Sequence, residues 1–173
     1  MSRAMDTEFS IRLATAADAP VISLHRARMF QDMGELPGPT FETFRARAEV
    51  ALAAMLERGE YVGWLASPAD HPDEVAGGAG AQLRRVLPHP ARTPEGEVTI
   101  AEGRHAIVLN VYTEPAWRRR GLAEQLMGCC LAWARQERLD RLVLHASSDG
   151  RRLYERLGFV ATNEMRFPSS LRG

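Results

Sequence analysis

The chain contains no lysine. All 22 of its Lys-or-Arg positions are arginine, they face 22 acidic residues, and the formal net charge is zero. No global field therefore draws it to nucleic acid or to an anionic membrane surface. Cysteine is nearly absent: Cys129 and Cys130 are adjacent on a predicted helix, a spacing that suits neither a CxxC redox pair nor a zinc site. They are expected to be free thiols with at least one packed in the core. No apolar run approaches the ~18 residues a membrane span needs. The N-terminal MSRAMDTEFSIRL lacks the apolar core of a signal peptide, so the chain reads as cytoplasmic. No GxxxxGK[ST] occurs, and the one glycine cluster, Gly77, Gly78 and Gly80, lies in VAGGAGAQL, which reads as strand with no acidic ribose partner after it. Both absences argue against the commonest nucleotide folds.

What is present is ordinary globular composition: 173 residues, 45% hydrophobic and 25% charged, enough for one domain over 1–173 with a substantial core. Residues 11–15 read as a short strand. Thr15 and Asp18 then offer a capping-box start to a first helix that runs to about Phe30, with Val21, Leu24, His25 and Met29 on a loosely defined face. A Gly- and Pro-rich loop fills 31–39. A second helix from Thr40 carries Phe41, Phe44, Ala48, Ala51, Leu52 and Met55 at the spacing of one buried stripe, with Gly59 as its stop. Strands at 61–67 and 75–86 flank PADHPDE and predict an antiparallel hairpin. Residues 87–103 hold Pro and Gly at a density that argues against regular structure, so this segment is expected to be a functional or mobile loop. A fourth strand at 105–113 alternates Ile107, Leu109 and Val111 against Val108 and Asn110. A helix from Gly121 to about Arg138 repeats Leu122, Leu126, Cys129 and Trp133. A strand at 141–147, a helix from Asp149 to Gly158 and a closing strand in FVATNEMRF complete the order.

The most informative stretch is VYTEPAWRRRGLAE, residues 111–124. A strand end and a proline precede three arginines, and Gly121, Leu122 and Ala123 open an apolar-periodic helix. The first N–H groups of a helix have no intrahelical acceptor and lie at the positive end of the peptide dipoles, so an anion completes them. Gly121 and Ala123 are small enough to admit a diphosphate to the backbone, and glycine accepts whatever φ the turn requires. Arg118 and Arg120 add charge from the flanks, and Trp117 is expected to anchor the loop by burial.

The segment RRRGLA at 118–123 resembles the [QR]xxGx[GA] signature of the GNAT superfamily of acetyl-CoA-dependent N-acetyltransferases, and LYERLGF at 153–159 resembles that family's second landmark. The resemblance is clear from about His105 to Phe159, and upstream it is one of element order. It implies an α/β (α+β) fold with a mixed, mostly antiparallel sheet, helices on both faces, and fourth and fifth strands that splay to hold the pantetheine arm. Acetyl-CoA is then the implied co-substrate, with no metal. Its diphosphate would sit on the amides of Arg119, Arg120, Gly121, Leu122, Ala123 and Glu124 beside Arg118, and its pantetheine on Val111, Tyr112 and Thr113. Ser147 would be a further contact, where the family often has Asn.

The family resemblance places Tyr154 near the leaving sulfur, where a phenol with an ordinary pKa of ~10 stays protonated and can donate. The alternative is that Tyr154 packs on Phe159 at a Schellman-type stop. No base is assigned: the strand positions that hold Glu in some relatives hold Asn110 and Tyr112 here, and Asp32, Glu35, Glu102 and His105 read as solvated charges. A small-molecule or peptide amine is the expected acceptor, lined by the first two helices and the 87–103 segment. Those elements offer both acids (Asp32, Glu35, Glu42) and arginines (Arg28, Arg84, Arg85, Arg104). No nucleic-acid or membrane partner is expected, and a homodimer is allowed. Rival readings are an acyl-CoA sensor without transfer and a nucleic-acid binder using the arginine triplet, which would lose affinity steeply with salt.

Overall fold

Period-two alternation in one central strand organises both layers of the core. In the computed structural model, which describes residues 8–165, the strand Tyr61–Pro68 (β2) turns Tyr61 and Leu65 to one face and Trp64 and Ala66 to the other. Tyr61 and Leu65 pack on Ala19 and Ile22 of the helix Ala19–Asp32 (α1) and on Leu52 of the helix Phe41–Glu57 (α2). Trp64 and Ala66 pack with Leu122, Leu126, Met127 and Cys130 of the helix Leu122–Gln136 (α3). Helices therefore cover both faces of the sheet.

The first strand is Phe9–Leu13 (β1), the third Gly77–Arg85 (β3). His89–Arg92 (β4), Val98–Ala101 (β5), Arg104–Thr113 (β6) and Arg141–Leu144 (β7) follow, with a last helix Arg151–Arg156 (α4). The main sheet runs β1-β2-β3-β6-β7, antiparallel except for the parallel β6-β7 pair. That pair extends only from His105↔Arg141 to Val108↔Leu144, and β6 continues to Thr113 with no strand beside it on that flank among the described residues. The fourth and fifth strands of the sequence reading thus splay as the resemblance implies.

The glycines of β3 are required by what lies on them. A Cβ at Gly80 would overlap the Tyr61 hydroxyl, and one at Gly77 would lie 3.2 Å from Leu122 Cδ2. Large side chains from both layers seat directly on this strand's backbone, which is why a glycine-rich segment is strand here and not a phosphate loop.

Four expectations need correction. The 87–103 segment is an antiparallel ribbon, β4 with β5, closed by a turn in which Gly96 has φ +90°. Pro90 is tolerated because a two-stranded ribbon leaves one flank of each strand unpaired. The α2 stripe is not a buried one: Leu52 alone is buried, Phe44 and Ala48 are half-buried and Ala51 is exposed. On α3 it is Cys130, not Cys129, that is fully buried, with Met127 and Ala134 beside Leu122 and Leu126, while Trp133 is half-buried. The closing strand is absent over Phe159–Met165, which has no regular structure, and the remainder of FVATNEMRF lies outside the described residues.

Candidate functional site

The corner before α3 is built by backbone geometry. After the turn Pro115–Trp117, Arg119 and Gly121 both take left-handed conformations, φ 64° and 75°, and Gly121 is the N-cap of α3. Glycine adopts this freely, whereas arginine does so only at a cost in strain. Among the described residues no acceptor takes the N–H of Arg119, Arg120, Gly121, Leu122, Ala123 or Glu124; the first intrahelical bond is Gln125 N–H to Gly121 O at 3.1 Å. Apart from its chain neighbours, a Cβ at Gly121 would meet nothing within 4 Å, so the N-cap position is not packed over by another element among the described residues. Leu122 is buried and anchors the turn from below, Ala123 is half-buried and Glu124 is exposed.

The flanking arginines are held but not consumed. Arg118 donates Nε to Thr113 O at 3.0 Å and pairs with Asp32 at 2.6 Å, its guanidinium 5.6 Å from the Tyr112 ring centre. Arg120 pairs with Glu8 at 2.5 Å and stacks over Trp117 at 4.9 Å. These pairs are exposed and worth little, so exchanging a carboxylate for another anion costs little. Trp117 does anchor the loop: half-buried, it meets Phe9 edge-on at 5.8 Å and donates its indole N–H to Glu74 at 2.8 Å. Corner and strand end are therefore joined, since Arg118 reaches back to Thr113.

Tyr154 and Ser147 come together around Gly150, where an added Cβ would lie 2.9 Å from Tyr154 Cε2 and 3.3 Å from Ser147 Oγ. Ser147 Oγ accepts the Gly150 N–H at 3.2 Å. The end of α4 is a Schellman stop: Gly158 has φ +92°, Phe159 N–H reaches Tyr154 O at 3.0 Å, Gly158 N–H reaches Glu155 O, and the two rings meet edge-on at 6.1 Å. The packing alternative for the Tyr154 ring body is thus realised. Its hydroxyl has no hydrogen-bond partner among the described residues, and the residue is half-buried. Burial holds its pKa above the ordinary phenol value, with Cys130 adding to the shift. Burial also pushes the Cys130 thiol up to about 12, so it stays protonated and is no nucleophile.

A polar network crosses the other face. Asn110 sits at a bulge in β6, with φ 57°, where the register with β3 shifts between Gly78 and Gly80. Its Nδ2 donates to Tyr61 Oη at 2.9 Å and its Oδ1 accepts from Arg26 Nη1 at 2.7 Å. At the strand end Glu114 accepts from Arg28 and lies 3.2 Å from His25 Nε2, and the His25 ring is 5.0 Å from that of Tyr112. The four carboxylate or imidazole candidates for a base do not converge: Asp32 pairs with Arg118, Glu35 and Glu102 are exposed, and His105 bonds His89 at 2.7 Å beside the ribbon.

A sequence model of the acetyltransferase (GNAT) family matches residues 24–159. The chain belongs to the GNAT acetyltransferase family. Among solved structures it is similar to a GCN5-related N-acetyltransferase from Ralstonia eutropha JMP134, with 26% identity, a TM-score of 0.78, and 93% of this chain and 98% of that one covered. It shares the fold of a predicted acetyltransferase with acetyl-CoA from Clostridium acetobutylicum, with 22% identity, a TM-score of 0.73, and coverage of 93% and 96%. An aminoglycoside N-acetyltransferase in complex with CoA is likewise similar in fold, with 16% identity, a TM-score of 0.65, and coverage of 98% and 99%. No curated protein sequence matches. Within this GNAT chain, no helix among the described residues is long and apolar enough to cross a membrane, and no group of three or more His, Cys, Asp or Glu there could hold a metal ion.

Sequence reasoning passed over Arg26 and Glu114 in this acetyltransferase. The available signals were weak ones: an asparagine inside an apolar strand, and an acid between that strand and Pro115. The buried His25 has a measurable consequence. Burial lowers its pKa from the ordinary 6.5 against the opposing pull of Glu114, and burial followed by Arg141 lowers that of His105. The unfolded chain therefore takes up these protons at higher pH than the folded one, and stability is lost as pH falls from about 6.5 toward the folded-state values. Asp18, held at about 2 chiefly by its hydrogen bond from Arg12, keeps its stabilising contribution throughout this range and loses it only as pH falls below its ordinary 3.8. Thermal unfolding followed from pH 7.5 to 5 should give a falling midpoint, with a shallower slope in His25→Gln. An equal slope in the variant would remove His25 as a source.

Proposed function

We propose that this chain transfers an acetyl group from acetyl-CoA to a primary amine of a small molecule or peptide, by direct attack within a ternary complex. The observation that carries this reading is the run of six amides, Arg119 to Glu124, that no described residue accepts from, at the start of α3 with the unpacked Gly121 as its N-cap. That donor set suits a diphosphate: successive N–H groups, the positive helix end, a glycine that leaves the approach clear, and Arg118 and Arg120 on the flanks. Val111, Tyr112 and Thr113 lie where β6 runs on past its last pairing with β7, so this strand edge is available to the pantetheine amides. Ser147, exposed in the loop after β7, is a further candidate contact.

The thioester supplies an acyl carbon that an unprotonated amine attacks and a thiol that leaves. Tyr154 holds the proton that the departing sulfur needs, its pKa raised by burial so that the phenol is protonated at neutral pH. The ring is fixed on Phe159 while its hydroxyl is engaged by no described residue, so packing and proton donation are compatible roles of one side chain.

A thermal-shift titration tests the seat. Acetyl-CoA at about 100 times its Kd stabilises by about 2.7 kcal/mol, which raises the midpoint of a chain this size by about 5–10 °C, whereas an oligonucleotide should leave it unmoved. Thiol release across an amine library then tests transfer. No shift with acetyl-CoA would overturn the proposal, and a shift without release to any amine would make the chain an acyl-CoA sensor.

A further inference from the structure

A cleft of about 510 Å³ opens between α1, the loop that follows it and α2. This is the volume of a small-molecule site. Its wall is mainly apolar, from Leu36, Phe44 and Ala48, with the hydroxyls of Thr40 and Thr43. No carboxylate lines it, and its charges are the two guanidiniums of Arg26 and Arg47. Elsewhere on α2, Arg45 is neutralised by Glu42 and Glu49. Arg26 has no acidic partner among the described residues, and its one hydrogen bond there is to a neutral amide oxygen.

Arg26 is also held in place. Asn110 Oδ1 fixes Nη1, and the Asn110 amide is itself fixed by the buried Tyr61 hydroxyl. The Phe30 ring centre lies 4.9 Å from Cζ and that of Phe44 6.0 Å. The other guanidinium nitrogens of this half-buried residue make no hydrogen bond among the described residues, and the residue lines the cleft. A guanidinium with one nitrogen committed still offers a planar fork that matches a carboxylate, and a half-buried cation without a counter-ion gains more from one than a solvated cation does. Asn110 immediately precedes Val111, so this cation sits one side chain away from the strand end assigned to the acyl donor.

We propose that the cleft is the acceptor subsite and selects amines that also carry a carboxylate and an apolar body, of the amino-acid type, with Arg26 receiving the carboxylate. The inference rests on the acetyl-transfer reading and narrows its acceptor class. Phe44, Leu36 and Ala48 would take the apolar body. Arg47, exposed on the same wall, adds favourable potential for the anion.

The test compares matched sets: phenylalanine, leucine and methionine, each with its carboxamide and its decarboxylated amine, scored by acetyl-CoA-dependent thiol release. The carboxamide's amine is the less basic and more of it is unprotonated at neutral pH, so a preference for the acid reports binding and not amine reactivity. At least one acid should exceed both counterparts in kcat/KM by about 10²-fold, the range expected where a site's polar group is left unpaired by the analogue. Arg26→Met should reduce that preference to about threefold or less, with acetyl-CoA affinity by calorimetry within about twofold of the parent. Should Arg26→Met not fold, the ranking by the unmodified protein decides. Equal use of acids and their counterparts, or release to none of them while acetyl-CoA binds, overturns the carboxylate subsite and leaves the donor seat standing. Failure to bind acetyl-CoA at all overturns both.

Discussion

Tyr154→Phe is expected to lower kcat by about 10²-fold or more while the affinity for acetyl-CoA stays within about twofold, because a positioned proton donor contributes about 10²–10⁴ in rate and little to ground-state binding. The substitution is clean here. The ring's structural work is the edge-on contact with Phe159 and the Schellman stop at Gly158, and both survive loss of the hydroxyl. No hydrogen bond within the described residues is broken, since the hydroxyl makes none there. Stability should therefore hardly change, and a lost rate cannot be assigned to unfolding. Steady-state kinetics with the best amine, alongside calorimetry of acetyl-CoA, makes the check. An unchanged kcat would leave Tyr154 as a packing residue only.

The parts of this fold that were legible share a property: their signals are local. The capping pair at Thr15 and Asp18 lies within four residues, and Asp18 does accept the Thr15 N–H at 2.8 Å. The arginine triplet, Gly121 and the apolar helix behind them are contiguous, so composition and order alone place small residues and charge at one helix end. The Arg26–Asn110–Tyr61 network was not legible, because it joins positions 84 and 49 residues apart whose pairing depends on the sheet. The same holds for Arg28 with Glu114, 86 residues apart. The β4–β5 ribbon was hidden by Pro90, a signal against strand that fails where a strand has a free flank. The α2 stripe misled in the opposite sense: its helical period is real, but only Leu52 and Met55 meet the core while Phe44 and Ala48 line a cleft, and periodicity does not distinguish an apolar wall from an apolar interior.

Gly121→Val should weaken acetyl-CoA by about 10²-fold, and the reasons separate into two parts that a control can split. One part is backbone strain. Gly121 has φ 75°, where a side chain costs about 1–2 kcal/mol, so the free protein should melt a few degrees lower. The other is obstruction. Apart from its chain neighbours, no residue comes within 4 Å of a Cβ at this position, so a valine would add bulk beside the N-cap without displacing a packed side chain. Losing several charge-assisted hydrogen bonds to a diphosphate at about 1.5–3 kcal/mol each would account for a 10²-fold loss even if some re-formed. Gly96→Val is the matched control. Gly96 also has a positive φ, 90°, with open space around it, but it lies in the turn of the β4–β5 ribbon. It should lower the melting temperature by a similar amount and leave acetyl-CoA binding intact. If the two variants lose affinity equally, strain and not obstruction is responsible, and the start of α3 is not where the donor's phosphates rest.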